Sequence, residues 1–147
     1  ALIGSRVIKT RTSEQIRRLL RLVVTQGTGR KAQAPGYLVG GKTGTANKVV
    51  GRKYKSKAVI SSFISAFPMN APRYVVFAML DEPSGTAQTH GYTTGGWVAA
   101  PIVGKIIARI GPLLRVKPID EAAPSVRRMM SIDVVTNQTR KPRLASF

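Results

Sequence analysis

Apolar residues first become periodic after Thr12. Thr12 and Gln15 have the spacing of a helix capping box, and the apolar residues that follow share one helical face: Ile16, Leu19, Leu20, Val23 and Val24. The opposite face carries Arg17, Arg18 and Arg21, and Gly27 provides a stop signal. The pattern predicts an amphipathic helix whose apolar face lies on a hydrophobic core.

The next segments have the patterns of β-strands. Residues 37–50 lose the helical period and mix glycine with threonine and valine, which indicates an irregular strand. Basic residues at 52–57 predict a hairpin-like turn, and residues 58–67 predict a second strand. Residues 74–80 are a continuous apolar run, which predicts a central strand buried on both faces. Turn-forming residues before that run indicate an antiparallel hairpin.

A second helix is predicted after a loop at 84–96 that is rich in glycine and threonine. Its apolar residues recur every four positions, with two more beside them: Val98, Ile102, Ile106 and Ile110, then Val103 and Ile107. Gly111 and Pro112 end it. Beyond Leu114 the period stops, so residues 115–147 are expected to be an extended or disordered basic tail. The order of elements predicts an α+β fold with helices packed on an antiparallel sheet.

The chain is strongly basic, with 24 lysines and arginines against 6 acidic residues and a formal net charge of +18. Such a surface attracts polyanions whatever its function. Few aromatic residues interleave with the basic ones, so no specific nucleic-acid partner is predicted, and a basic nucleic-acid-binding module is kept only as an alternative. Cysteine is absent, which excludes thiolate metal sites, and no cofactor or metal ligand set is predicted. No apolar stretch approaches the ~18 residues of a membrane span, so any anchor is expected upstream of Ala1.

Residues 36–43 satisfy the phosphate-loop pattern Gly-x-x-x-x-Gly-Lys-Thr, whose backbone amides cradle phosphates. Asp81 and Glu82, at the end of an apolar run, resemble the acidic strand end that holds magnesium in such proteins, although a turn is the simpler interpretation. A phosphate loop needs a buried strand before it and a helix starting at its Lys-Thr. The polar segment 30–35 and the glycines and valines after Thr43 fit neither requirement. A nucleotide-binding protein is therefore the alternative hypothesis.

The same segment matches a second pattern. Lys42-Thr43-Gly44 is a signature of serine acyl-transferases that act on D-alanyl peptides and penicillins, and the strand context predicted here suits it. A peptide that ends in a carboxylate needs a cation and hydroxyl donors, which Lys42, Thr43 and Thr45 can supply. Gly44 keeps the strand free of a side chain where substrate must lie close. A backbone N–H near Thr45 is a candidate donor to the oxyanion.

Further segments, in a fixed order, carry a broader resemblance. They are Val23-Val24 to Gly27-Thr28-Gly29, Gly41 to Ala46, Ser62-Phe63 to Ala66-Phe67-Pro68, Pro72 to Val76, Leu80-Asp81-Glu82-Pro83, and Gly95-Gly96 to Ala99-Ala100-Pro101. Together they resemble the C-terminal third of class B penicillin-binding proteins, notably the septal cell-division transpeptidases. The resemblance implies that residues 1–114 are the C-terminal portion of a transpeptidase domain, with a partial penicillin-binding-protein/β-lactamase-like fold.

The resemblance also implies a function. Proteins of this class are anchored in the bacterial inner membrane with the catalytic domain in the periplasm, and cell-division proteins are expected partners. A serine attacks the D-Ala-D-Ala bond of a peptidoglycan stem peptide, and the acyl group passes to an amine of a neighbouring strand. By this motif, Lys42, Thr43, Gly44 and Thr45 bind the stem peptide and β-lactam antibiotics, and Lys42 and Thr43 are the candidate catalytic residues.

The chain departs from the family in one respect. The nucleophile of the family lies in Ser-x-x-Lys and its proton-transfer partner in Ser-x-Asn, and neither pattern occurs in these 147 residues. The isolated chain is therefore predicted to be inactive, with the missing N-terminal half of the domain as its partner. An uncovered sheet edge would favour oligomers. Of two other candidates, His90 is expected on a surface loop and Trp97 in packing.

Overall fold

The computed structural model describes residues 4–51 and 53–132, without side chains at 50 and 53–57. Its helices and strands, in chain order, are α1 (Thr10–Thr25), β1 (Gly40–Val50), β2 (Lys53–Phe67), β3 (Tyr74–Asp81), α2 (Gly95–Leu113) and α3 (Pro124–Met130). Two short 3-10 turns lie at Arg30–Ala32 and Ala87–Thr89. The predicted α+β class is confirmed, and so is the order helix, three strands, helix.

The three strands form one antiparallel sheet in the order β1-β2-β3. The prediction that the third strand is central is wrong, because β2 occupies the centre and β3 lies at one side. Burial alternates along β3, and the side chains of Val75, Phe77 and Met79 are 55–68% exposed. A continuous apolar run shows that both faces of a strand are apolar, but it does not show which neighbours flank it.

The sheet has two faces of different character. Lys42 lies opposite Ile64, and Ile64 opposite Phe77, so these three residues share one face. Thr43 lies opposite Phe63 and shares the other face. We call the second the inner face, because Phe63 is fully buried in the core. The first, the outer face, carries the exposed apolar residues of β2 and β3.

Helix α1 is confirmed, but its predicted details differ. The helix begins at Thr10 after Lys9, which makes no side-chain capping bond, so the capping box at Thr12 does not form. Val24 is buried as predicted, whereas Ile16 is 43% exposed and Leu19 52% exposed. Arg21, expected on the polar face, is buried, with 5% of its surface exposed. Only the C-terminal turns of α1 therefore contact the core.

Burial of Arg21 is explained by its partners. Its guanidinium donates from Nη1 to the backbone oxygen of Val39 at 2.7 Å and from Nη2 to the carboxylate of Glu121. The same carboxylate accepts from the backbone N–H of Gly36 at 2.9 Å. Desolvation lowers the pKa of Arg21, and the pairing with Glu121 opposes that shift in part. The cluster fixes the approach to β1, because Gly36 and Val39 directly precede the strand.

The segment after α2 is not the extended tail that was expected. Val116 is buried, and the backbone N–H of Ile119 donates to Gly36 O at 2.9 Å. Helix α3 then packs beside α1. The tail pattern lacked periodicity because this segment is held by a few polar contacts, chiefly those of Glu121, and not by an apolar stripe. Residues 133–147 lie outside the described residues, and the domain boundary at Leu114 stays a prediction.

Helix α2 packs across β2 and β3. Val103 and Ile107 are fully buried in the core with Ala99 and Ala100, whereas Ile102 is 39% exposed. The buried face of α2 is thus centred on Val103 and Ile107, beside the row through Ile102 that the sequence predicted. A helix this apolar has no sharp polar face to orient it. In the part of the chain that the structure describes, α2 is long and apolar enough to cross a membrane, but it has the buried face of a core helix.

Candidate functional site

The predicted site residues lie consecutively on β1, which pairs with β2 on one side and, among the described strands, with none on the other. Alternation along the strand sends Lys42 to the outer face and Thr43 and Thr45 to the inner face. Lys42 is exposed, and its Nζ donates to the backbone oxygen of Thr43 at 2.8 Å. The site therefore has a cation on one side of a strand edge and two hydroxyls on the other.

The two threonine hydroxyls are held by neighbouring segments. The Oγ1 atoms of Thr28 and Thr43 are 3.1 Å apart, and the backbone N–H of Gly95 donates to Thr45 Oγ1 at 3.1 Å. Since Thr45 Oγ1 accepts this bond, its own O–H stays available as a donor. Thr28 was assigned no role from the sequence, although the Gly27-Thr28-Gly29 segment was among those that carried the resemblance.

Glycines allow α2 to begin directly against the sheet. A Cβ atom at Gly95 would lie 2.2 Å from the backbone oxygen of Ser62 and 2.7 Å from that of Gly44. A Cβ atom at Gly96 would lie 2.4 Å from the backbone oxygen of Thr28. Gly44 lies on the outer face with Lys42, where a Cβ atom would lie 2.6 Å from Ser62 Oγ. The first turn of α2 is thereby fixed against β1.

A cavity of about 610 Å³ opens beside these hydroxyls on the inner face of β1. Its walls come from the end of α1, the 3-10 turn at Arg30–Ala32, β1 and the start of α2. The lining residues are Gln26, Gly27, Thr28, Arg30, Lys31, Thr43, Thr45, Thr94, Gly96 and Trp97. Four threonines and two cations therefore line the cavity, with no carboxylate among its lining residues.

Trp97, which lines this cavity, belongs to an aromatic cluster. The rings of Tyr92 and Trp97 stack with their centroids 5.1 Å apart, and His90 meets Trp97 edge-on at 5.5 Å. Lys31 Nζ lies 4.3 Å from the centroid of the Trp97 ring, a cation–π contact. Trp97 packs against neighbouring rings, but it is half-buried and lies outside the core in which the prediction placed it. His90 lies exposed after a 3-10 turn as expected.

The two acidic residues at the end of β3 form ion pairs with a lysine. Lys48 Nζ lies 2.8 Å from a carboxylate oxygen of Asp81 and 2.9 Å from one of Glu82. Hydrogen bonds to these two groups raise the pKa of Lys48. Among the described residues, no group of three or more acidic or histidine side chains could hold a metal ion.

The phosphate-loop alternative is contradicted by the backbone. Lys42 and Thr43 lie inside β1, where a phosphate loop would start a helix. The required strand before Gly36 is also absent, because residues 30–35 form a 3-10 turn and irregular backbone. The Gly-x-x-x-x-Gly-Lys-Thr match is therefore a coincidence of sequence.

Comparison with known proteins identifies the class. The model of the penicillin binding protein transpeptidase domain matches residues 2–108, so the chain belongs to that family. The resemblance inferred from the sequence is confirmed. The apo transpeptidase domain of penicillin-binding protein 3 from Burkholderia pseudomallei superposes with a TM-score of 0.66 and 42% identity over 78% of this chain and 34% of that chain.

Individual relatives show which transpeptidases the chain resembles. The chain is 45% identical over 123 residues to "Probable peptidoglycan D,D-transpeptidase FtsI" of Caulobacter vibrioides, covering 78% of this chain and 21% of the relative. It is 51% identical over 112 residues to "Stage V sporulation protein D" of Bacillus subtilis, covering 76% and 17%. Penicillin-binding protein 3 of Mycobacterium tuberculosis, solved with ampicillin, gives a TM-score of 0.69 at 29% identity, covering 82% and 28%. The chain thus spans about a fifth of the length of these curated relatives.

Proposed function

We propose that this chain supplies the substrate-binding strand of a serine-type peptidoglycan D,D-transpeptidase. The observation that carries the proposal is the edge of β1 that pairs with no other described strand. This edge presents Lys42 on one side and the hydroxyls of Thr43 and Thr45 on the other. An extended peptide can add to such an edge through main-chain hydrogen bonds. A stem peptide ending in D-Ala-D-Ala would then bring its terminal carboxylate to the cation and the hydroxyls.

The proposed chemistry is acyl transfer. A serine hydroxyl attacks the carbonyl of the penultimate D-Ala, the terminal D-Ala leaves as an amine after accepting a proton, and an acyl-enzyme ester remains. The amine of a neighbouring stem peptide then attacks the ester and releases the serine. Lys42, Thr43, Gly44 and Thr45 hold the substrate, and a backbone N–H near Thr45 stabilises the oxyanion. β-Lactams, which the relative solved with ampicillin binds, would occupy the same edge.

The serine must come from outside this chain, because neither Ser-x-x-Lys nor Ser-x-Asn occurs in it. The outer face supports this assignment: Ile64, Val75, Phe77 and Met79 leave 50–68% of their surface exposed there. So much apolar surface on one face marks a region that another part of the protein covers. Since Lys42 lies on that face, the missing N-terminal half of the domain would bring its serines to the lysine.

The cellular setting follows from the family. We propose that the parent protein is anchored in the bacterial inner membrane, with this domain in the periplasm, where its peptidoglycan substrate lies. Cell-division proteins are the proposed partners, as the resemblance to the septal enzymes implies. The net charge of +18 needs no nucleic-acid ligand in this setting, because anionic polymers and lipid surfaces of the envelope also meet it.

Covalent labelling by a fluorescent penicillin tests the proposal. The full-length parent is expected to be labelled, and the 147-residue chain alone is not. Lys42→Met in the parent should slow labelling by about 10-fold or more, since a charge-assisted hydrogen bond to the carboxylate is lost. Lys117→Met, at an exposed lysine after α2, is the matched control. Labelling of the isolated chain, or an unaffected Lys42→Met variant, would refute the proposal.

A further inference from the structure

The cavity beside Thr43 and Thr45 is lined by positive charges that do not belong to the Lys42-Thr43-Gly44 motif. Two of its lining residues, Arg30 and Lys31, are cationic, and none is acidic. Among the described residues, the ion pairs are made by Arg21 and Lys48, both outside this lining. Arg30 and Lys31 thus face the cavity with no carboxylate of the described part of the chain paired with them.

The backbone at Lys31 is held in place, and its exposed side chain lies over the ring of Trp97. The 3-10 turn that carries it is fixed by Ala32, which is fully buried against α2. A Cβ atom at Gly104 would lie 3.1 Å from the backbone oxygens of Lys31 and Ala32, so the turn rests directly on that helix. The ring of Trp97 then receives the lysine side chain at 4.3 Å, and Tyr92 stacks on the same ring.

The chemistry of this cavity suits an anion. Thr28, Thr43 and Thr45 bring hydroxyls to one wall, and Lys31 brings a cation to the wall formed with Trp97. Hydroxyls and a cation arranged around a cavity recognise a carboxylate better than a neutral amide, because the charged group makes stronger hydrogen bonds. A cation–π contact leaves the charge of the lysine intact, so it can attract an anion while its position is restricted.

We propose that Lys31 is a specificity-determining residue that recognises the carboxylate end of the donor peptide from the inner face of β1, opposite the face that carries Lys42. The inference rests on the proposed function, because the donor peptide reaches this cavity only if it lies along β1. Lys42 and Lys31 then approach the same end of the peptide from the two faces of the strand. Trp97 acts as a positioning residue for Lys31.

The test uses the full-length parent and two donor peptides that end in D-Ala-D-Ala, one with a free carboxylate and one with a carboxamide. The rate constant kcat/KM for release of the terminal residue is measured for each. The wild-type protein is expected to prefer the carboxylate donor. Lys31→Gln should lower this preference about 3- to 10-fold, mainly through KM, with little change for the amide donor.

Further variants separate recognition from structure. Lys31→Arg, which keeps the charge, should restore most of the preference, and added salt should weaken it in the wild-type protein. Arg109→Gln is the matched control, since Arg109 is an exposed cation on α2 about 18 Å along the helix from Trp97.

The outcomes distinguish the two proposals. If the wild-type protein turns over neither donor and binds no penicillin, the proposed function fails. If it turns over both donors and Lys31→Gln leaves their ratio unchanged, or lowers both rates equally, the inference about Lys31 is overturned while the proposed function stands. A loss confined to the carboxylate donor supports it.

Discussion

Gly95 joins α2 to the substrate strand, and Gly95→Ala is the sharpest test of that geometry. The new Cβ atom would lie 2.2 Å from the backbone oxygen of Ser62 and 2.7 Å from that of Gly44, where ordinary contact begins near 3.4 Å. Neither oxygen can rotate away, because both belong to paired strands. The first turn of α2 must therefore retreat by about 1 Å. That movement would break the bond from Gly95 N–H to Thr45 Oγ1.

The expected magnitude has two parts. Overpacking of this kind costs about 1–3 kcal/mol of folding free energy, which a urea unfolding curve of the parent protein can resolve. A displacement of about 1 Å at a substrate-binding group can lower the rate of acylation about 100-fold. Penicillin acylation should therefore fall by much more than the fraction of unfolded protein explains.

Gly4→Ala is the control, because a Cβ atom there would meet nothing within 4 Å. It should leave both stability and acylation unchanged. A Gly95→Ala protein with wild-type stability and wild-type acylation would show that α2 does not rest on β1 as described.

Two further predictions concern the Arg21–Glu121 ion pair and the outer face of the sheet. Glu121→Gln should destabilise the parent by about 2–3 kcal/mol, because it leaves the buried guanidinium of Arg21 without its carboxylate. Asp120→Asn, at an exposed neighbour, is the control. Equal unfolding midpoints for the two variants would contradict the role of the Arg21–Glu121 pair. Phe77→Ser should reduce self-association of the 147-residue chain in sedimentation experiments, since it removes apolar surface from the outer face. Leu113→Ser, at an exposed residue of α2, is the control. An unchanged distribution of oligomers in the Phe77→Ser variant would argue against exposure of the outer face.

Secondary structure followed from local patterns wherever one pattern dominated. The helix at Thr10–Thr25, the three strands and the helix at Gly95–Leu113 all occur in the predicted order. The predicted turn at 52–57 is wrong, because β2 already begins at Lys53, and α2 continues past Gly111 and Pro112 to Leu113. Boundaries and faces were less accurate. Helix α1 begins at Thr10 and not after Thr12, and Arg21 is buried because Glu121, 100 positions later in the chain, supplies a carboxylate. No local pattern contains that partner.

The candidate site shows the same division. The tripeptide at Lys42 and the strand around it were visible in the sequence, and so was the class of enzyme that they resemble. The cavity was not, because it is assembled from the end of α1, the turn at Arg30–Ala32, β1 and the start of α2. Thr28 and Lys31 became candidates only when Thr43 and Trp97 were found beside them.

The sequence by itself determined which segments become helices and strands, because hydrophobic periodicity and turn residues act over a few neighbouring positions. It also determined the family, through short segments whose order and spacing are specific. Only the tertiary structure decided that β3 lies at the side of the sheet, that Arg21 is buried, and that Thr43, rather than Lys42, lies on the face of the sheet that covers the core. These features depend on partners far apart in the chain, and packing alone brings such partners together.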